Sequence, residues 1–270
     1  VKANGEKLEI VCAIALGGPA VVPIMKGNLV YSFYADGKAE IAFNGELRQL
    51  LKEMNMRLPR FGFCFALKDG CENMTYFGKG PVESYCDRHK GTRFGMFETT
   101  VTDNLVHYIR PIENGSHFAT TYGKVSDNSG CGFEFAPVKP EAFSFNATHF
   151  TPKMLEEAKH DDELVPSENT YVYLDYKIDS RSGRGIYETL EPERIWDFEP
   201  FEFAIEFKPI MSSSSTTSKP IKLTFFISIP SKFKGFIGAL FASESTRPSY
   251  EKLLTACPIS GTDLCCVINP

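Results

Sequence analysis

Tryptophan is almost absent from this 270-residue chain, which has Trp196 alone. Histidine is sparse too. The five residues His89, His107, His117, His149 and His160 show no HxxxH or HxH spacing, so no histidine metal site is indicated. The eight cysteines (Cys12, Cys64, Cys71, Cys86, Cys131, Cys257, Cys265 and Cys266) lack the CxxC spacing of zinc sites. A chain of this length needs no disulfide scaffold, so reduced thiols in the cytoplasm are expected. A basic excess is missing: 29 Lys and Arg face 34 Asp and Glu, a net charge of −5, which removes the field that nucleic-acid binding requires. No apolar run reaches the ~20 residues of a membrane helix. The start has neither the basic n-region nor the apolar h-region of a signal peptide. It begins at Val1, which reads as a truncation or a domain cut. Strands alternating with long helices are also lacking, which excludes a (β/α)8 barrel.

What the chain has is aromatic content. Phenylalanine occurs 23 times and tyrosine 11 times in a sequence that is 43% hydrophobic. Aromatics suit pleated, half-buried surfaces, and the length allows a sizeable core in one or two domains. Residues 8–16 read as a strand with Leu8, Ile10, Cys12 and Ile14 on one face. Residues 28–35 and 38–43 read as a hairpin turning at Asp36-Gly37. Leu47, Leu50, Leu51 and Met54 fall at helical spacing. Residues 60–67 place Phe61, Phe63 and Phe65 on one face of a strand, and 74–77 continue after a turn at 68–70. Residues 92–102 read as loop and strand. Residues 118–125 and 132–135 flank another turn, and 143–146 are extended. Thr151-Pro152 opens a short helix to about Lys159, with Thr151 as N-cap and Pro152 at N1. Residues 171–178 alternate, with Val172, Leu174, Tyr176 and Ile178 on one face. Residues 201–209 alternate better, with Phe201, Phe203, Ile205 and Phe207 against Glu202, Ala204, Glu206 and Lys208. A one-residue slip there would bury the glutamates. Strands without long helices between them argue an antiparallel sandwich. From Met211 the composition changes to a Ser-rich linker and a tail without sustained period. That tail is expected to be poorly ordered. It reads as a small addition, a sheet-edge partner or translation from outside the true frame.

Two dense clusters bracket residues 75–117. The first, at 76–88, is YFGKGPVESYCDR; the second, at 108–115, is YIRPIENG. Pro81 and Pro111 fix the backbone. Glu83, Asp87, Arg88, Arg110 and Glu113 carry charge in segments otherwise fit for burial, where charges pair. Glu83 and Glu113 are expected to pair with Arg88 or Arg110. By themselves the clusters read as a loop-rich knot that locks sheets together, or as a binding site. Three N-x-S/T sequons, at Asn73, Asn114 and Asn146, matter only in a secreted chain.

The pattern FGxGPxExYxDR followed by YIRPxENG resembles the C-terminal small-chain domain of glycoside hydrolase family 2 β-galactosidases. LPRFG at 58–62 precedes it, and FSF at 143–145 leads into LEEAKH at 155–160. The order of these motifs is that of the family, and the resemblance runs from about Leu8 to Ile210. It implies an all-β fold: an antiparallel β-supersandwich, galactose mutarotase-like, with one short helix. It implies two regions. Residues 1–210 are an N-terminally truncated small-chain sandwich, lacking the family's RxPxDND-like segment, and 211–270 are linker and tail. In the resembled enzymes the catalytic glutamates and a Mg2+ site lie in a barrel. No catalytic residue, metal or cofactor is therefore assigned to this chain. The implied partners are a catalytic barrel domain or large subunit, a terminal β-galactoside, and further copies in a homo-oligomeric parent; no nucleic acid or membrane partner is expected. In the resembled domain a loop between the last two strands places an aromatic side chain beside the sugar. Here the corresponding loop is 179–192, and the substrate-facing position falls at Tyr187 or Glu188. The usual Ser-Trp or Ser-Cys-Gly pattern is missing from it. Trp196 is expected in the core. Two alternatives stay open: a separate small subunit of a two-chain enzyme, or an independent sugar-binding, mutarotase-like sandwich. A mutarotase needs a His/Glu pair in one groove, for which His117 near Glu113 is the local candidate.

Overall fold

The Asp36-Gly37 turn sets the architecture. Gly37 takes φ +83°, a conformation that glycine adopts without strain, and it joins two long antiparallel strands, β3 (Met25–Tyr34) and β4 (Ala39–Leu47). The computed structural model describes residues 2–3, 5–16, 23–48, 60–67, 70–180 and 199–211, together with the backbone of 224–227 and 264–267. The helical spacing at Leu47–Met54 falls mostly outside these residues, and Trp196 lies wholly outside them.

Among the described residues the strands form two antiparallel sheets. One adds β1 (Lys2–Ala3), β2 (Lys7–Leu16), β6 (Asn73–Gly80), β7 (Arg93–Thr100), β9 (Tyr122–Ser126), β10 (Gly132–Lys139) and β13 (Phe201–Ile210) to the hairpin. Its order is β1-β2-β3-β4-β13-β10-β9-β6-β7. The other sheet contains β5 (Arg60–Leu67), β8 (His117–Thr120), β11 (Phe143–Thr148) and β12 (Thr170–Ile178). Of residues 212–270, the structure describes two short strands, β14 (Thr224–Ile227) and β15 (Leu264–Val267), which give that sheet the order β15-β14-β5-β12-β11-β8. The rest of that segment lies outside the described residues. The result is the antiparallel β-sandwich expected, with one short α-helix among the described residues, α1 (Pro152–Glu157), capped by the Thr151 side chain on the Met154 amide. No described helix is long and apolar enough to cross a membrane.

The sheets meet through phenylalanines. Phe61, Phe63 and Phe65 of β5 reach across to Phe43, Phe203 and Phe207, with ring centroids 5.0, 5.0 and 5.2 Å apart. Such pairs add about 0.5–1.5 kcal/mol each beyond area burial. Residues 203, 205 and 207 of β13 are buried while Glu202, Glu206 and Lys208 are not, so the register is fixed as the alternation required. Leu8 departs from the expectation: it is exposed, while Ile10, Cys12 and Ile14 pack on the core.

The segment 118–125 is not one strand. It splits at Thr121, so that β8 lies in one sheet and β9 in the other. Ala119 sits at φ +54° beside the crossing, and the Thr121 amide donates to the Phe77 carbonyl at 2.9 Å. The two motif clusters lie at this end of the sandwich.

Candidate functional site

Glu83 joins the two clusters. Its carboxylate accepts from the Arg88 guanidinium and the Tyr108 hydroxyl, from the Tyr85 hydroxyl at 3.0 Å, and from the Gly115 amide at 2.9 Å. A carboxylate with this many donors ties a loop firmly, because charge-assisted bonds are about twice as strong as neutral ones. Burial raises the Tyr85 phenol well above its ordinary pKa, and Glu83 adds to the shift. The pairing of Glu83 with Arg88 is the one the sequence suggested. Glu113 goes elsewhere: its Oε1 accepts from Arg60 Nη1 at 2.9 Å.

Arg60 is the centre of a second, deeper group. Its Nε and Nη2 donate to the two oxygens of Asp175 at 2.6 and 2.8 Å, and its guanidinium lies 4.1 Å from the Tyr173 ring centre. Arg60 and Asp175 are both almost wholly buried. Burial opposes the charge on Arg60, but Asp175 and Glu113 outweigh it and hold the guanidinium ionised. Asp175 is pushed up to about 6, first by burial and then by Glu113, against the pull of Arg60. One cation thus serves two carboxylates and ties β5, β12 and the second cluster together.

A third group is neutral. Asn104 Nδ2 donates to the Gly115 carbonyl and to Asn146 Oδ1, both at 2.9 Å. Asn146 Nδ2 donates to the Asn114 carbonyl at 2.8 Å, and Asn114 Oδ1 accepts from the Val106 amide at 2.9 Å. His117 lies under this group, 1% exposed, with Nε2 2.8 Å from Asn104 Oδ1 and its ring stacked 3.9 Å from Tyr76. Two of the three sequon asparagines, Asn114 and Asn146, are therefore buried structural residues. Gly115 holds the turn between them at φ +74°, and a Cβ there would lie 2.7 Å from the Asn104 carbonyl oxygen. Gly115→Ala is expected to cost about 1–3 kcal/mol, from strain and overpacking together. Urea unfolding will measure it; a change below about 0.5 kcal/mol would mean that the turn adapts.

The first cluster also grips the end of β12. Asp87 accepts from the Ser180 amide at 2.9 Å and from the Ser180 hydroxyl at 2.8 Å. The Cys86 thiol donates to the Ile178 carbonyl at 3.2 Å. Burial pushes that thiol up to about 12, helped by the carboxylates of Asp87 and Asp179, so it is a neutral donor and no nucleophile. Residues 181–198 follow at once. Tyr187 and Glu188 lie there, outside the described residues.

The structure assigns the candidate mutarotase pair separate places. His117 is enclosed against Tyr76 and Asn104, while Glu113 bonds Arg60. Among the described residues no group of three or more His, Cys, Asp or Glu side chains is placed to hold a metal ion. Arg60 and Asp175 were not singled out from the sequence as a pair. The available signal was Arg60 at the head of one strongly apolar strand and Asp175 within another.

A family model described as beta galactosidase small chain matches residues 2–193. Among curated proteins, a β-galactosidase of Staphylococcus xylosus is 36% identical over 183 residues, covering 67% of this chain and 17% of that protein. One from Actinobacillus pleuropneumoniae is 34% identical over 164 residues, with 59% and 15% covered. One from Streptococcus thermophilus is 31% identical over 147 residues, with 54% and 13% covered. The chain thus spans only a small part of the length of these relatives.

Proposed function

This chain belongs to the β-galactosidase small-chain family, and from that premise we propose that it completes the active site and the assembly of a larger β-galactosidase whose catalytic glutamates lie outside it. One observation carries the reading: the family match ends at residue 193, inside the 181–198 segment, and the first motif cluster fixes the root of that segment through Asp87 and Ser180. The proposed division of labour is chemical. A barrel supplies two carboxyl groups about 5–5.5 Å apart for hydrolysis of terminal β-galactosides with retention, and any Mg2+ is held there. This chain presents Tyr187 or Glu188 to the sugar, an apolar face or a polar contact that orients it.

The test is an assay of β-galactoside hydrolysis by the 270-residue chain, alone and mixed with a β-galactosidase polypeptide truncated before its small-chain region. Silence alone and activity on mixing is the expected result. Activity alone would place the catalytic carboxylates in this chain. Silence in both would refute the completing role, and a galactose titration would then decide for an independent sugar binder.

Asp87→Ala is expected to lower kcat/KM of the mixture roughly 10-fold, because a misplaced positioning loop weakens alignment at the reacting bond. Its thermal unfolding should change little, since the clamp is local. An unchanged kcat/KM would sever the motif cluster from the loop's function.

A further inference from the structure

Asn-Gly dipeptides deamidate spontaneously, because glycine has no side chain to shield its amide nitrogen from the asparagine before it. The chain has three, Asn4-Gly5, Asn44-Gly45 and Asn114-Gly115. We infer that Asn114-Gly115, in the second motif cluster, is a latent deamidation site, and that Glu83 keeps it closed by holding the Gly115 amide. This holds for the chain by itself, whatever it assembles with.

The reaction needs three things. The Gly115 nitrogen must lose its proton and attack Asn114 Cγ, the Cγ–Nδ2 bond then breaks and ammonia leaves, and water opens the resulting succinimide to aspartate or isoaspartate. Each requirement is blocked in the folded chain. The Gly115 amide donates to Glu83 Oε2 at 2.9 Å, and a carboxylate beside an amide opposes loss of its proton. The Asn114 side chain is pinned at both ends: Oδ1 accepts from the Val106 amide and Nδ2 donates to the Ile112 carbonyl, both at 2.9 Å. Asn114 and Gly115 are both buried, away from water. The other two dipeptides stand elsewhere. Gly5 is exposed, with nothing within 4 Å of the place a Cβ would take. Asn44 lies inside β4, paired with Asn28 on one side and Glu202 on the other, so its backbone is held extended.

The fold cannot avoid this dipeptide. Position 115 takes φ +74° with no room for a Cβ, which requires glycine, and position 114 must both accept and donate through its side chain, which suits asparagine. Conversion would strike the seam directly. An aspartate at 114 would set a carboxylate against the Ile112 carbonyl, acceptor against acceptor, in a buried place. An isoaspartate adds a carbon to the backbone between two fixed points, the Asn114 carbonyl held by Asn146 and the Gly115 carbonyl held by Asn104. Hydrolysis does not run back, so each opening that reacts is permanent. Glu83 therefore protects the chain from its own backbone chemistry as well as tying the two clusters.

The experiment incubates the full 270-residue chain in mildly alkaline buffer, native and in urea, and reads aspartate and isoaspartate at each Asn-Gly by peptide mass spectrometry. In urea the three sites should convert at similar rates, since only the dipeptide then matters. In the native chain Asn4 should convert while Asn114 converts at least about 10-fold more slowly. Glu83→Gln should speed Asn114 about 10-fold, the scale on which losing a charge-assisted hydrogen bond favours local opening, and leave Asn44 unchanged. Asn114 converting as fast as Asn4 in the native wild type would overturn the closed site. An unchanged Asn114 rate in a folded Glu83→Gln would remove Glu83 as its guard. If that variant unfolds, Asn44 accelerates too, and Tyr108→Phe decides instead. It takes one donor from Glu83 without touching Gly115. Selective acceleration at Asn114 is then the expected result, and none at all would overturn the proposal.

Discussion

Replacing Arg60 by leucine is expected to destabilise the fold by about 3–5 kcal/mol, the cost of removing one partner from a buried ion pair. The loss is large because of what remains. Asp175 is 1% exposed and would lose the cation that holds it ionised, leaving a buried carboxyl that must take up a proton, and Glu113 would lose the same partner. Domains are stable by only about 5–15 kcal/mol, so this one change consumes much of the margin. Urea unfolding at pH 7 gives the number. The double variant Arg60→Leu with Asp175→Leu should lose less than the single one, since apolar side chains can replace a buried pair at little cost. If Arg60→Leu fell within about 1 kcal/mol of the wild type, the network would be ornamental to stability. Asp175 alone has the opposite pH signature to most carboxylates. Its folded pKa, about 6, exceeds the ordinary 3.8. Its contribution is therefore fully present below pH 3.8 and is lost as pH rises through 6.

How far the sequence reached depends on how local the determining contact is. The alternation of Phe201, Phe203, Ile205 and Phe207 contains its own answer, because only one face can be buried without burying Glu202 and Glu206. The Phe61, Phe63 and Phe65 row reads the same way. The break at Thr121 does not, since nothing in FATTYGKV distinguishes a straight strand from two strands in different sheets. That outcome depends on β6 offering the Phe77 carbonyl. Residues 92–102 read as loop and strand, and the strand there, β7, forms where β6 pairs with it from Asn73 to Gly80. The candidate site divides along the same line. Glu83 and Arg88 are five residues apart and their pairing is legible. Glu113 has Arg110 three residues away, yet it bonds Arg60, 53 residues back. Distance in sequence carries no information about which strand end will face a loop. The motif words marked where the loops would be braced and contain Arg60, within LPRFG, but Asn104, Asp175 and His117, which also brace them, lie outside those words. Tyr187 and Glu188 lie beyond the described residues, so the role proposed for them rests on the family resemblance.

His117 gives the second large effect, and it appears as a pH dependence. Burial holds its folded pKa at about 3, outweighing a weaker interaction with the Lys79 backbone, against an ordinary value of 6.5. A depressed histidine contributes stability that is present above pH 6.5 and is lost as pH falls toward 3, because the unfolded chain takes up the proton first. At about 1.36 kcal/mol per pH unit, the gap bounds the loss at roughly 5 kcal/mol. The total stability curve mixes this with Asp175, which changes in the opposite sense between pH 6 and 3.8. The clean readout is a difference. The unfolding free energy of the wild type minus that of His117→Gln should fall by about 1.4 kcal/mol per pH unit from pH 6 down toward 3, and stay flat above pH 7. Asp175 and the surface carboxylates cancel in that subtraction, provided the glutamine leaves them undisturbed. A flat difference throughout would mean that His117 accepts a proton in the folded state, and that the seam of Asn104, Asn146 and Tyr76 around it opens to water.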